Sequence, residues 1–229
     1  MTVLIICTVC VIFILSVLCI TKQEKNQEIY DSEISNLIAN LGNNETLAKS
    51  ILKFLGNEHT KVEKNRDEKA TVSFYTCSSD KIIIKHTKNN KELSRFVHVA
   101  HECVHSTQSR KLLWAHFILS NIQSLYFLGS FIFFFYTEDT TLKFYLLLIQ
   151  LFIFLLTFLI KVILESDASY RAISVASDYI EVRTNHIVAS KFKNLLKNKL
   201  YQIMPTFYFT LFMQGAILLL ICQIGALFS

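Results

Sequence analysis

The chain has one proline and five glycines in 229 residues. Gly and Pro supply the backbone angles of tight turns, so a fold built from many short strands and loops is excluded and long uninterrupted elements are expected. No Cys-x-x-Cys pair occurs among the six cysteines, which removes a zinc ribbon and a thioredoxin-like redox motif. Charge is nearly absent from four stretches, Thr2–Ile20, Leu112–Tyr136, Leu142–Leu164 and Phe207–Phe228, whose only charged residues are Lys143 and Lys161.

Each stretch is 19 to 25 residues long, and about 20 helical residues at 1.5 Å rise cross the hydrocarbon core of a bilayer. The first has no basic segment before it and no small-residue cleavage site after it, so it reads as an uncleaved anchor and not as a signal peptide. With 52% hydrophobic residues and nineteen Phe, the expected fold class is a mainly α-helical multi-pass membrane protein. It would have four transmembrane helices and a small α+β cytoplasmic region. The expected divisions are an anchor at 1–20, an α+β region at 21–111, a transmembrane hairpin at 112–164, a helical region at 165–205 and a last transmembrane helix at 206–229.

Lys and Arg set the expected orientation. Residues 21–111 hold fifteen and 165–205 hold six, while the loop "TEDTT" between the second and third spans holds none. Basic loops stay cytoplasmic, which puts both termini outside a plasma membrane. The net charge of +5 follows from that asymmetry and calls for anionic lipid as its partner, with no nucleic acid required. Cys7, Cys10, Cys19 and Cys222 lie in apolar spans, and Cys77 and Cys103 stand alone, as suits a reducing compartment.

The soluble segment shows apolar residues at Ile34, Leu37, Ile38 and Leu41, then at Leu47, Ile51, Leu52 and Leu55. This predicts two amphipathic helices broken at Gly42-Asn43-Asn44. "HTKVEKNRDEKA" reads as an exposed connector. Two short strands are expected at Val72–Thr76 and Lys81–His86, the latter either as an edge to which an extended substrate adds or as part of a simple hairpin covering the motif helix. A further helix is expected from about Glu92.

That helix carries "VAHECVHSTQ", an H-E-x-x-H motif. Residues four apart share a helix face, so the imidazoles of His101 and His105 can converge on one cation. Glu102 is turned about 100° away, near where a zinc-bound water would sit. His98 lies about 10 Å along the axis from His105 and cannot join the same ion. Because spans two and three form a hairpin, the end of the third returns to the motif, bringing "LESDASYRA" with Glu165 and Asp167. Either carboxylate is a candidate third ligand.

The motif, the hairpin and "ESDASYRA" together resemble the bacterial neutral zinc metallopeptidases of the YugP type, whose pattern reads roughly A-A-H-E-x-G-H-A-x-Q and later E-F-D-A-S-R-R-A. "SSDKIIIKH" sits where that family has its short strand before the motif helix. The resemblance covers most of the chain, although only these stretches are specific. HtpX-type membrane peptidases are more distantly similar, sharing Glu165 and Ala168 but having Asp where this chain has Ser169. What the resemblance implies is a zinc metalloendopeptidase with one Zn2+ per chain on His101, His105 and Glu165, and Glu102 as general base. Departures are Val104 for Gly, Ser106 for Ala, Thr107 at a variable position, Ser166 for Phe and Tyr170 for Arg. Asp167 is expected to orient a ligand histidine, and Tyr170 and Arg171 to stabilise the oxyanion formed on a peptide substrate. The alternative is a non-catalytic membrane protein whose zinc clamps the hairpin to the soluble face. A transporter is disfavoured, because the spans carry no charged pair near the midplane.

Overall fold

In the computed structural model, which describes residues 36, 38–67, 73–86, 93–184 and 186–228, the order is α1 (Asn44–Phe54), β1 (Lys61–Lys64), β2 (Phe74–Thr76), β3 (Lys81–Ile84), α2 (Leu93–His105), α3 (Arg110–Phe134), α4 (Thr140–Glu181) and α5 (His186–Phe228). The described chain divides into two compact units. One takes the described part of Gln27–Trp114 with Leu164–Tyr201, and the other takes Ala115–Ile163 with 202–228.

In the first unit Gly42, at φ 79°, turns the chain into α1, and Asn43 caps that helix by accepting from the Thr46 N–H at 2.9 Å. The far end closes with Gly56 at φ 66°, where the N–H of Asn57 reaches the Leu52 carbonyl. Asn57 then donates from Nδ2 to the carbonyl and hydroxyl of Ser106, tying the end of α1 to the end of α2. Leu47, Ala48, Ile51 and Leu52 form the buried face of α1, and Phe96, Val99, Ala100, Cys103 and Val104 that of α2. Each fully buried large side chain here contributes about 1.5–3 kcal/mol.

The α4 segment in this unit presents Ala168, Ala172, Ala176 and Ile180 to the same core. These residues recur every four positions, so they lie along one helix face, and the three alanines permit close approach to α2. Phe96 packs edge-on against Phe192 with centroids 5.5 Å apart.

The sheet has order β1-β3-β2, with β1 parallel and β2 antiparallel to β3. This corrects two expectations. "HTKVEKNRDEKA" contains a strand, whose exposed Lys61, Glu63 and Lys64 hide any apolar alternation; such charges suit an edge strand that must not recruit another chain. Lys81–Ile84 is the central strand, with both sides paired, and is no edge for a substrate. It stops two residues short of His86 because the Lys85 N–H bonds the Ser73 hydroxyl and the Lys85 carbonyl accepts from Asn44.

In the second unit the helices present apolar surface outward. In the most apolar window of α3 only 11% of residues are buried, and in that of α4 only 22%. An exposed face of that extent is a liability in water and is satisfied by lipid. Among the described residues three helices are long and apolar enough to cross a membrane: Arg110–Phe134, Thr140–Glu181 and, within α5, Tyr208–Ala226. The molecule is thus mostly helical, with three candidate spans and a small three-stranded sheet. Thr2–Ile20, the fourth expected span, and Val72 lie outside the described residues. Phe134, Leu147, Cys222 and Ala226 form a buried cluster within this unit. Gly215 lies directly against the Phe154 ring, so close that a Cβ would collide with it.

The expected division at 164/165 is no break in secondary structure, since α4 continues for 42 residues from Thr140 to Glu181. The division at 205/206 likewise falls inside the 43-residue α5.

Candidate metal centre

His101 and His105 stand on the last turns of α2, with Glu165 opposite them on α4. His101 Nε2 lies 3.0 Å from His105 Nε2 and 3.1 Å from Glu165 Oε2, and His105 Nε2 lies 3.5 Å from the same oxygen. The three donor atoms therefore form a nearly equilateral triangle. A tetrahedral zinc sphere of radius about 2.0–2.2 Å has edges of about 3.3–3.6 Å, so the triangle is slightly smaller than one of its faces and would open by a few tenths of an ångström around an ion. Two imidazole nitrogens and a carboxylate oxygen are also a donor set that suits zinc.

Both rings are held from behind. Ser169, one turn after Glu165, places Oγ 3.3 Å from His101 Nδ1. After α2 ends, a turn closed by the Gln108 N–H on the His105 carbonyl brings the Gln108 side chain back beside His105. His105 Nδ1 lies 2.7 Å from Gln108 Oε1, and Gln108 Nε2 donates to the Leu164 carbonyl at 2.7 Å and to Asp167 Oδ2 at 2.8 Å. Asp167 thus reaches His105 through Gln108. Arg171 donates to Thr107 Oγ1 at 2.9 Å and lies 3.4 Å from Asp167, so its guanidinium is engaged behind the donor triangle. Tyr170 and His98 are exposed.

Burial pushes the His101 imidazole below its ordinary value, with Glu165 opposing only in part. On His105 the same burial is outweighed by Glu165, Glu102 and Gln108, and the value rises. Burial lifts the Glu102 carboxyl to about 7, against the charge of His105 and with that of Glu165. The backbone of Tyr75 on β2 also acts on Glu102, lowering its pKa. The motif glutamate is not one of the three grouped donors.

Two residues here escaped the sequence reading. Ser169 is four positions after Glu165 on α4, a spacing that puts it on the donor's face and was the available signal, whereas Gln108 lies in the turn beyond α2, where no helical spacing marks it. No family model matches the chain, and no curated protein or solved structure does either. What fold and site define together is a mostly helical protein with three helices long and apolar enough to cross a membrane among the described residues, and a candidate three-donor metal centre.

Proposed function

We propose that this chain is a membrane-embedded zinc metallopeptidase that hydrolyses peptide bonds. The observation that carries the reading is the triangle of His101 Nε2, His105 Nε2 and Glu165 Oε2, whose edges of 3.0, 3.1 and 3.5 Å suit one face of a zinc coordination sphere. Among the described residues these three form the one group of side chains arranged to hold a metal. Three protein donors and a fourth position for water characterise catalytic zinc, whereas a structural clamp is closed by four.

Zinc bound there supplies Lewis acidity, polarising a carbonyl and lowering the pKa of water towards about 7. The chain's own residues do the rest. Glu102 takes a proton from the attacking water and returns it to the leaving amine nitrogen, a role suited to a carboxyl lifted to about 7. Gln108 and Ser169 orient the two imidazoles. The catalytic face is cytoplasmic on the evidence of the Lys and Arg distribution, and substrates are peptides or proteins.

Metal analysis of the detergent-purified chain, with peptide turnover measured with and without a chelator, tests this reading. One zinc per chain and chelator-sensitive cleavage are expected. Zinc retained without any cleavage would replace the peptidase with the structural clamp, and the absence of zinc would remove both.

A further inference from the structure

We infer that Gln108 is a positioning residue that fixes His105 as its Nδ1–H tautomer, turning the Nε2 lone pair into the donor triangle. The purpose of this arrangement rests on the metal-site reading above, but its geometry does not.

The argument starts from the amide. A primary amide has two N–H donors and an oxygen that only accepts, and its orientation is decided by the groups around it. Gln108 Nε2 faces the Leu164 carbonyl at 2.7 Å and Asp167 Oδ2 at 2.8 Å. Neither a carbonyl nor a carboxylate can donate, so turning the amide over would set three acceptors against one another in a buried place. The oxygen must then be the atom beside His105 Nδ1, at 2.7 Å. Because that oxygen cannot donate, the ring nitrogen carries the hydrogen. In a neutral imidazole the other nitrogen is then bare, and it is the one 3.0 Å from His101 Nε2 and 3.5 Å from Glu165 Oε2.

The same amide does a second thing. One of its acceptors is the peptide carbonyl of Leu164, immediately before Glu165, so a single side chain holds His105 in register with the segment that carries the carboxylate. Arg171 braces Asp167 and also donates to Thr107, next to Gln108 in sequence, which completes a run of polar contacts across the two helices. His101 has no equivalent lock. Its Nδ1 faces the Ser169 hydroxyl, which can donate or accept and so dictates neither tautomer, while the Glu165 carboxylate beside Nε2, which only accepts, favours Nε2–H in the metal-free chain.

The test uses the full chain in detergent micelles, metal-free and labelled with nitrogen-15 histidine, at a pH above imidazole titration. A long-range proton–nitrogen correlation reports which ring nitrogen bears the hydrogen, and His105→Asn identifies the signal. The parent is expected to show His105 as Nδ1–H. Gln108→Met, of similar volume but without a competent acceptor, is expected to lose that preference. A parent His105 protonated on Nε2 would overturn the inference with no variant needed, as would an unchanged Nδ1–H signal in Gln108→Met. Zinc titration of the same samples should show Gln108→Met binding about 10–100-fold more weakly than the parent; equal affinity would also overturn the positioning role. A parent that takes up no zinc would defeat the metallopeptidase reading, while the spectrum would still decide the tautomer.

Discussion

Ser169 and Glu165, one helical turn apart on α4, touch opposite nitrogens of the same His101 ring, the hydroxyl at 3.3 Å from Nδ1 and the carboxylate at 3.1 Å from Nε2. The ring is thereby aimed by the element that also offers the third donor. Ser169→Ala removes the outer contact and leaves the donors intact. Zinc affinity, read by competition with a chromophoric chelator, should fall about 10-fold, the low end for outer partners of metal-bound histidines. An affinity equal to the parent's would show that the contact aims nothing.

Glu102→Gln separates binding from chemistry. The carboxyl is not among the grouped donors, so zinc content should match the parent. Turnover should fall on the order of 10²–10⁴-fold, as loss of a general base does. A variant that cleaves peptide at the parental rate would show that the base is another group.

Glu165 and Asp167 lie two residues apart but have different neighbours. Glu165 faces both imidazoles and Asp167 accepts from Gln108. Glu165→Ala is therefore expected to abolish most zinc binding, and Asp167→Ala to weaken it by only about 10–100-fold. Equilibrium dialysis of the two variants side by side checks the order, and the reverse ranking would move the third ligand to Asp167.

The charge asymmetry makes a topological prediction. Residues 21–111 carry fifteen Lys and Arg, and Cys77 within them is a partly exposed free thiol. A membrane-impermeant maleimide should modify Cys77 in inverted vesicles and leave it untouched in intact cells. Modification from outside would reverse the orientation.

Long apolar runs and the two-apart, three-apart and four-apart spacings are local properties, so α1, α2 and the long helices of the second unit were legible from residues alone. The convergence of His101 with His105 follows from a four-residue step on one helix. Pairing between β1 and β3 did not show, because it joins Lys61 to Lys81 across twenty positions, and the strand it adds, Lys-Val-Glu-Lys, is charged where strands are usually recognised by apolar alternation. Without β1 the central strand looked like an edge. The role of Gln108 was hidden for another reason: one of its two acceptors is the backbone carbonyl of Leu164, a group every residue possesses and no sequence pattern marks.

The unbroken α4 also bears on how any activity would be measured. Its 42 residues make a rod about 63 Å long at 1.5 Å per residue, roughly twice the thickness of the hydrocarbon core. If the charge-poor run 142–164 fills that core, Glu165 sits at the depth of the lipid headgroups. A peptide arriving at the donor triangle would then enter the charged headgroup layer before meeting the donors. Partitioning into that layer would become part of its apparent affinity, so the composition of the vesicle belongs among the variables of the assay, beside pH and zinc.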